Sequence, residues 1–535
     1  MVLFSTLFQW AERLYDVQIP QRNLKSFFGE SQFSGSFYAF PSSKNLLTSC
    51  LSTFHSVYLF IQFLLYLFPK GTLMENILSF IESNHQRYLT ELKELLAIPS
   101  VSSQTERKPE MRRAAEWLKT QMQTIGLQNI QIMETEGHPV VYADWLNAPG
   151  KPTILIYGHY DVQPEDPVDL WKTPPFEATE RDGNLYARGA ADDKGQIFIH
   201  LKAIEAFLKN SGALPVNIKI IFEGEEEVGS EHLGKFIGEH KDLLKADVIV
   251  ISDSGMFAKG IPSVTYALRG LAYMEVEVTG PNSDLHSGSF GGSVHNPIQA
   301  LTEMIASLHD KNGRITVKGM YDDVRPLTKA ERAAFKKLPW NDKKYAASLG
   351  LKQLYGEKGF TTLERLWTRP TLECNGIWGG YIGEGAKTVL PAKAFAKISM
   401  RLVPDQSSAK IAKVFEKHLK KIAPKTVDVK VKNLHGGEPA ITPVDSPGVK
   451  AAVVALEKGF GKKPLYQREG GSIPIVVDFK KLLGIDSVLL GFGLPDENAH
   501  APNEFINLDN FFGGIKTTAH YYHEFPNFWK SGKKK

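Results

Sequence analysis

The sequence predicts an α/β chain built on a covered, mainly parallel sheet and interrupted by a smaller α+β unit. Three observations carry this. Between residues 140 and 253, short β-rich apolar runs alternate with helical stretches. Near Thr265 the texture changes to strands of strictly alternating polarity. From about Gly437 the α/β texture returns. A chain of 535 residues is too long for one core, so a domain interrupted by a second one is the economical arrangement.

Residues 1–73 differ from the rest, with eight charged side chains and eleven of the 31 phenylalanines. No charge lies between Lys44 and Lys70, and the 45–68 stretch is long enough to cross a bilayer as a helix. Arg13, Arg22, Lys25 and Lys44 precede it, which would keep the N-terminus cytoplasmic. Its late start and the lack of a small-x-small site argue against a cleaved signal peptide. Two readings stay open: a membrane anchor, or an over-extended start ahead of Met74. After Met74, Ile77, Phe80, Ile81, Tyr88, Leu92, Leu95 and Leu96 recur at helical spacing.

Residues 153–157, 216–223 and 246–251 are buried-strand candidates, with a helix at 196–209 between the first two. Met274, Val276 and Val278 alternate with Tyr273, Glu275 and Glu277 as in a half-buried strand. A second such strand is expected at 397–403, with a helix at 297–309 between them. Residues 487–490 read as a further buried strand, and 311–372 are charged and mixed, with no assigned elements. The balance of 63 Lys+Arg against 59 Asp+Glu, net +4, gives no case for a nucleic-acid partner. Two cysteines, Cys50 and Cys374, exclude a disulfide framework and a cysteine-based zinc ribbon. Any metal must be held by histidines and carboxylates.

Polar residues gather where these strands end. His159 and Asp161 follow the first, Glu225, Glu226 and Glu227 the second, and Ser252 and Asp253 the third. A glycine-rich loop supplies Asp192 and Asp193, and the 487–490 strand leads toward His500. In open α/β sheets the ligand crevice lies at those ends. Carboxylates at one sheet edge repel one another unless cations sit among them. Three carboxylates (Asp192, Glu227, Asp253) with His159 and His500 would leave two divalent cations one charge short of neutral, which a bridging hydroxide would supply.

Gly158-His159-Tyr160-Asp161, the run Arg188 to Gly195, and Glu226-Glu227-Val228-Gly229-Ser230 resemble the signatures of the M20 metallopeptidase family. Asp284-Leu285-His286-Ser287-Gly288 and Arg468-Glu469-Gly470-Gly471-Ser472-Ile473-Pro474 are similar to its dipeptidase branch, which includes carnosinase-like enzymes. The resemblance implies a di-metal catalytic domain formed by 74–264 and 438–535, with a lid and dimerisation domain at 265–437. It implies that His159 and Asp253 hold one metal, Glu227 and His500 the other, that Asp192 bridges both, and that the peptide between Asp192 and Asp193 is cis. Asp161 would orient His159, and Glu226 would be the general base. His286 would reach the site from the second subunit of a homodimer and stabilise the oxyanion.

Arg401, Thr388 and Ser472 would hold the substrate's carboxylate, and Glu469 its free amine. The resemblance thus implies hydrolysis of dipeptides or short peptides by two divalent ions. Zinc is expected, with manganese and cobalt as alternatives. An N-acyl amino-acid deacylase of the same family and a non-catalytic metal-binding scaffold are the alternatives. The expected location is the cytoplasm, or a membrane if 45–68 is an anchor.

Overall fold

A computed structural model of the chain describes residues 72–529 apart from Ser472. The 45–68 segment, the substrate contact expected of Ser472 and the terminal lysines therefore lie outside the described residues. Among the described residues, no helix is long and apolar enough to cross a membrane.

The helical pattern after Met74 is realised as two helices, Leu73–Ser83 and His85–Leu96, broken at Asn84. Thr72 and Glu75 close a capping box at the start of the first. Ile77, Ile81, Tyr88, Leu92, Leu95 and Leu96 are fully buried.

The large sheet has nine strands among the described residues. Its main path runs Gln128–Met133, Val140–Trp145, Asn217–Glu223, Thr153–His159, Val248–Ile251, Ser487–Leu489, Ser263–Leu268 and Ala440–Ile441. Leu465–Glu469 pairs in parallel with Ser263–Leu268. Thr153–His159 is parallel to both its neighbours, and Ser487–Leu489 extends the parallel block from Val248–Ile251. The outer strands on the Gln128 side are antiparallel.

Both faces are covered, which is why the central strands read as continuous apolar runs. Ile154, Ile156, Ile220 and Val250 point into a core shared with helices Lys194–Ser211 and Leu508–Phe528. Leu155, Tyr157, Ile221 and Ile249 point the other way, onto Leu233–Glu239 and Pro474–Leu483.

The chain leaves this sheet after Leu268 and enters a four-stranded antiparallel sheet at Gly270–Thr279. That sheet runs Thr371–Gly379, Lys393–Leu402, Gly270–Thr279, Asp428–Gly437. Met274, Val276, Val278, Ile398 and Met400 form its buried face, under helices Pro297–Ser307 and Ser408–Ile422. The unassigned 311–372 region contains three short helices, Lys329–Lys336, Asp342–Ser348 and Thr362–Thr368. Phe335, Leu363 and Trp367 form a small core of their own there. With so few apolar anchors per helix, no periodic run marks them.

One buried histidine ties the layers together. His200, on Lys194–Ser211, lies 2.9 Å from the Tyr522 hydroxyl and 2.7 Å from Ser252 Oγ. Since Ser252 donates to the Leu490 carbonyl, His200 Nε2 donates to Ser252 and Nδ1 accepts from Tyr522. Burial pushes the imidazole down to about 3. The unfolded chain therefore binds a proton that the fold rejects between the ordinary value of 6.5 and about 3. Stability is present above pH 6.5 and falls with pH below it, by about 1.4 kcal/mol per unit from this group. Urea denaturation between pH 7.5 and 4.5 checks this: His200→Gln should flatten the acid slope by about that amount.

Candidate di-metal site

His159 is the last residue of Thr153–His159 and sits opposite Glu223 in the parallel register. Gly158 lets the next helix come close: a Cβ there would meet Ile197 Cγ2 at 2.2 Å and Asp193 Oδ2 at 2.6 Å. The loop before Lys194–Ser211 then brings Asp192 against the imidazole, with His159 Nε2 3.1 Å from Asp192 Oδ1. The other carboxylate oxygen, Oδ2, lies 2.9 Å from His500 Nε2, which is also 3.2 Å from Glu227 Oε2. Asp253 follows Val248–Ile251 and completes the first group. His159, Asp192 and Asp253 form one set of potential ligand atoms within 4.8 Å of one another, and Asp192, Glu227 and His500 form a second.

Asp192 thus faces two histidines with two separate oxygens. Ligands of a tetrahedral ion at about 2.1 Å stand about 3.4 Å apart, close to these spacings. The donors are nitrogen and oxygen only, and each group has three, which leaves coordination positions for water or substrate. The residues present fit two divalent cations. The peptide bond between Asp192 and Asp193 is cis.

Asp161 is fully buried. Its Oδ1 lies 3.3 Å from His159 Nδ1, and its backbone carbonyl 3.1 Å from the same atom. The carboxylate also accepts the Glu226 and Glu227 amides at 3.3 and 3.1 Å. One side chain therefore sets the ring of His159 and the turn carrying the two glutamates. Glu225 faces away, its carboxylate 2.9 Å from His232 Nδ1.

The electrostatics follow from crowding under burial. Burial, with Asp192 and Glu227 close by, pushes Asp253 up to about 7. Burial and the carboxylates of Asp253, Asp192 and Glu227 raise Glu226 well above the ordinary carboxylate range. Burial opposes ionisation of Asp192, but hydrogen bonds from His159 and His500 hold it below that range. Hydrogen bonds to Asp192 and Glu227 lift His500 to about 10.

Asp192, Glu226, Asp253, His500 and Glu469 line one cavity of about 540 Å³. Glu469 ends the strand Leu465–Glu469, and its buried Oε2 has no hydrogen-bond partner among the described residues. Burial and the Asp253 carboxylate push it up to about 7. His286, Thr388 and Arg401 are not among the residues lining this cavity. His286 ends the strand Leu285–His286, which pairs with Val389–Leu390, and Thr388 immediately precedes the latter, its Oγ1 3.5 Å from His286 Nε2. His286 Nδ1 accepts the Gly288 and Ser289 amides, so a neutral ring carries its proton on Nε2. Arg401, half-buried, lies on the strand Lys393–Leu402 between Thr371 and Leu271.

Glu504 is the residue that sequence reasoning missed. Fully buried, it accepts the amides of Gly189, Ala191 and Asp192 at 2.8, 2.9 and 3.1 Å, and Arg188 Nη1 at 2.7 Å. It clamps the loop that presents Asp192. Nothing in the sequence around a lone glutamate marks such a role.

A family model described as Peptidase family M20/M25/M40 matches residues 155–524. The chain is 35% identical over 467 residues to the Cys-Gly metallodipeptidase of Schizosaccharomyces pombe, covering 84% of this chain and 98% of that one. The crystal structure of human carnosine dipeptidase 1 superposes with a TM-score of 0.74 at 34% identity, over 86% of this chain and 100% of that one. An M20 family metallo-carboxypeptidase of Sulfolobus solfataricus gives 0.73 at 38% identity, over 82% and 99%.

Removing the Glu504 carboxylate should leave Arg188 buried and unpaired. Glu504→Ala is expected to lose about 3–5 kcal/mol in urea denaturation, and Glu504→Gln, whose amide nitrogen would face two N–H donors in place of an accepting oxygen, should also be destabilised.

Proposed function

The chain belongs to peptidase family M20/M25/M40, and we propose that it hydrolyses the peptide bond of dipeptides or similarly short peptides with a free carboxylate. The observation that carries this is a single cavity shared by Asp192, which links two three-donor groups, and by Glu226 and Glu469. Relatives covered along nearly their whole length are dipeptidases by name.

Under this proposal His159, Asp253 and Asp192 hold one divalent cation, and Glu227, His500 and Asp192 the other, with zinc expected and manganese or cobalt as alternatives. When bound, such ions supply Lewis acidity toward the scissile carbonyl and a water activated at neutral pH. Asp161 keeps His159 Nε2 turned toward Asp192 by engaging Nδ1. Glu226 accepts the proton of the attacking water and hands it to the leaving amine. Glu469 pairs with the free α-amino group, which would satisfy its buried Oε2.

Arg401, Thr388 and Ser472 are assigned to the substrate's carboxylate, for which the planar guanidinium suits two oxygens. The 265–437 segment is assigned as the lid and dimerisation domain. It would pair two copies so that each supplies His286 to the other's site, with its Nε2 proton donated to the oxyanion. A cytoplasmic location is proposed.

Three experiments test this. With Zn²⁺ or Mn²⁺ added, the chain from Met74 should hydrolyse free dipeptides and not N-acetyl amino acids. Glu226→Gln should lose at least about a thousand-fold in kcat while keeping its metal. Cleavage of the acetylated set alone would move the protein to the deacylases. Glu469→Gln should raise KM for free dipeptides at least ten-fold and narrow their advantage over acetylated ones.

A further inference from the structure

The lining of the cavity falls into two chemically distinct groups. One comprises Asp192, Glu226, Asp253 and His500; the other is a wall of Met256, Phe257, Trp340, Leu363, Leu366 and Trp367. Four of those six wall residues come from the helical segment 329–368, which the sequence left unassigned.

That wall is fixed in place. Leu363 and Trp367 belong to the small core with Phe335, and Phe257, Trp340 and Leu366 pack against it. Trp340 Nε1 donates to Asp342 at 2.6 Å, which sets the indole ring. Arg468, next to Glu469, bonds Glu331 on the helix Lys329–Lys336 at 2.6 Å and the Tyr266 hydroxyl at 2.8 Å. Arg269 bonds the carbonyls of Arg365 and Arg369 on and just after the helix Thr362–Thr368. The strand carrying Glu469 and the helices carrying the wall are therefore held in register.

We propose that this wall is the subsite for the side chain of the substrate's amino-terminal residue, and that it selects large apolar side chains through Trp340, Leu363, Leu366 and Trp367. The inference rests on the dipeptidase proposal above. The polarity of binding follows from where the charges lie. Glu469, the acidic partner for a free amine, lines the cavity beside the wall, whereas Arg401 and Thr388, assigned to the carboxylate, do not. With the scissile carbonyl at the Asp192 group and the amine at Glu469, the side chain between them is the amino-terminal one. The cavity as a whole, about 540 Å³, lies in the range of small-molecule ligand pockets.

The test is kcat/KM for Phe-Gly, Leu-Gly, Gly-Phe and Gly-Gly with the metal-loaded chain. Phe-Gly and Leu-Gly should exceed Gly-Gly by about ten- to hundred-fold, and Gly-Phe should gain far less. Trp340→Ala and Leu366→Ala, two variants at separate points of the wall, should each cut the Phe-Gly to Gly-Gly ratio at least five-fold. Equal rates for the four peptides, or an unchanged ratio in both variants, overturns the subsite while leaving the dipeptidase standing. Cleavage of none of them overturns the dipeptidase, and the subsite falls with it.

Discussion

Asp192 is the side chain on which the site depends, because it alone belongs to both groups of potential ligands. Its two oxygens meet His159 and His500, delivered from positions 308 residues apart from Asp192 in the case of His500. Holding one carboxylate in that position takes a clamp. Glu504 provides it by accepting three amides of the loop and the Arg188 guanidinium. A buried acceptor satisfied by that many donors is worth more to geometry than to stability, since each charge must first be stripped of water.

The same economy recurs one layer out. Asp161 serves the His159 ring and the amides of the Glu226–Glu227 turn at once. Gly158 admits the helix that follows Asp193 at a distance no side chain would allow. The sheet supplies strand ends, and a few buried acceptors convert those ends into a constellation of fixed donors.

The sheet, the alternating strands and the cluster of potential ligands were legible because each leaves a local mark. Continuous apolar runs such as that ending at His159 announce a strand covered on both faces. Period-two alternation at Met274, Val276 and Val278 announces one covered on a single face. Polar residues directly after such strands announce the crevice. Glu504 and the apolar wall left no such mark. A lone glutamate and isolated apolar residues such as Trp340, Leu363 and Leu366 acquire meaning only when tertiary contacts bring them together. His286, Thr388 and Arg401, expected from the family resemblance, sit outside the cavity that holds Glu226.

One carboxylate is proposed to organise two cations, and elemental analysis of purified protein, dialysed after loading with zinc or manganese, tests this most directly. Two ions per chain are expected in the natural sequence and fewer than one in Asp192→Ala, with that variant still folded by circular dichroism. One ion per chain in the natural sequence, or two retained without Asp192, would contradict it.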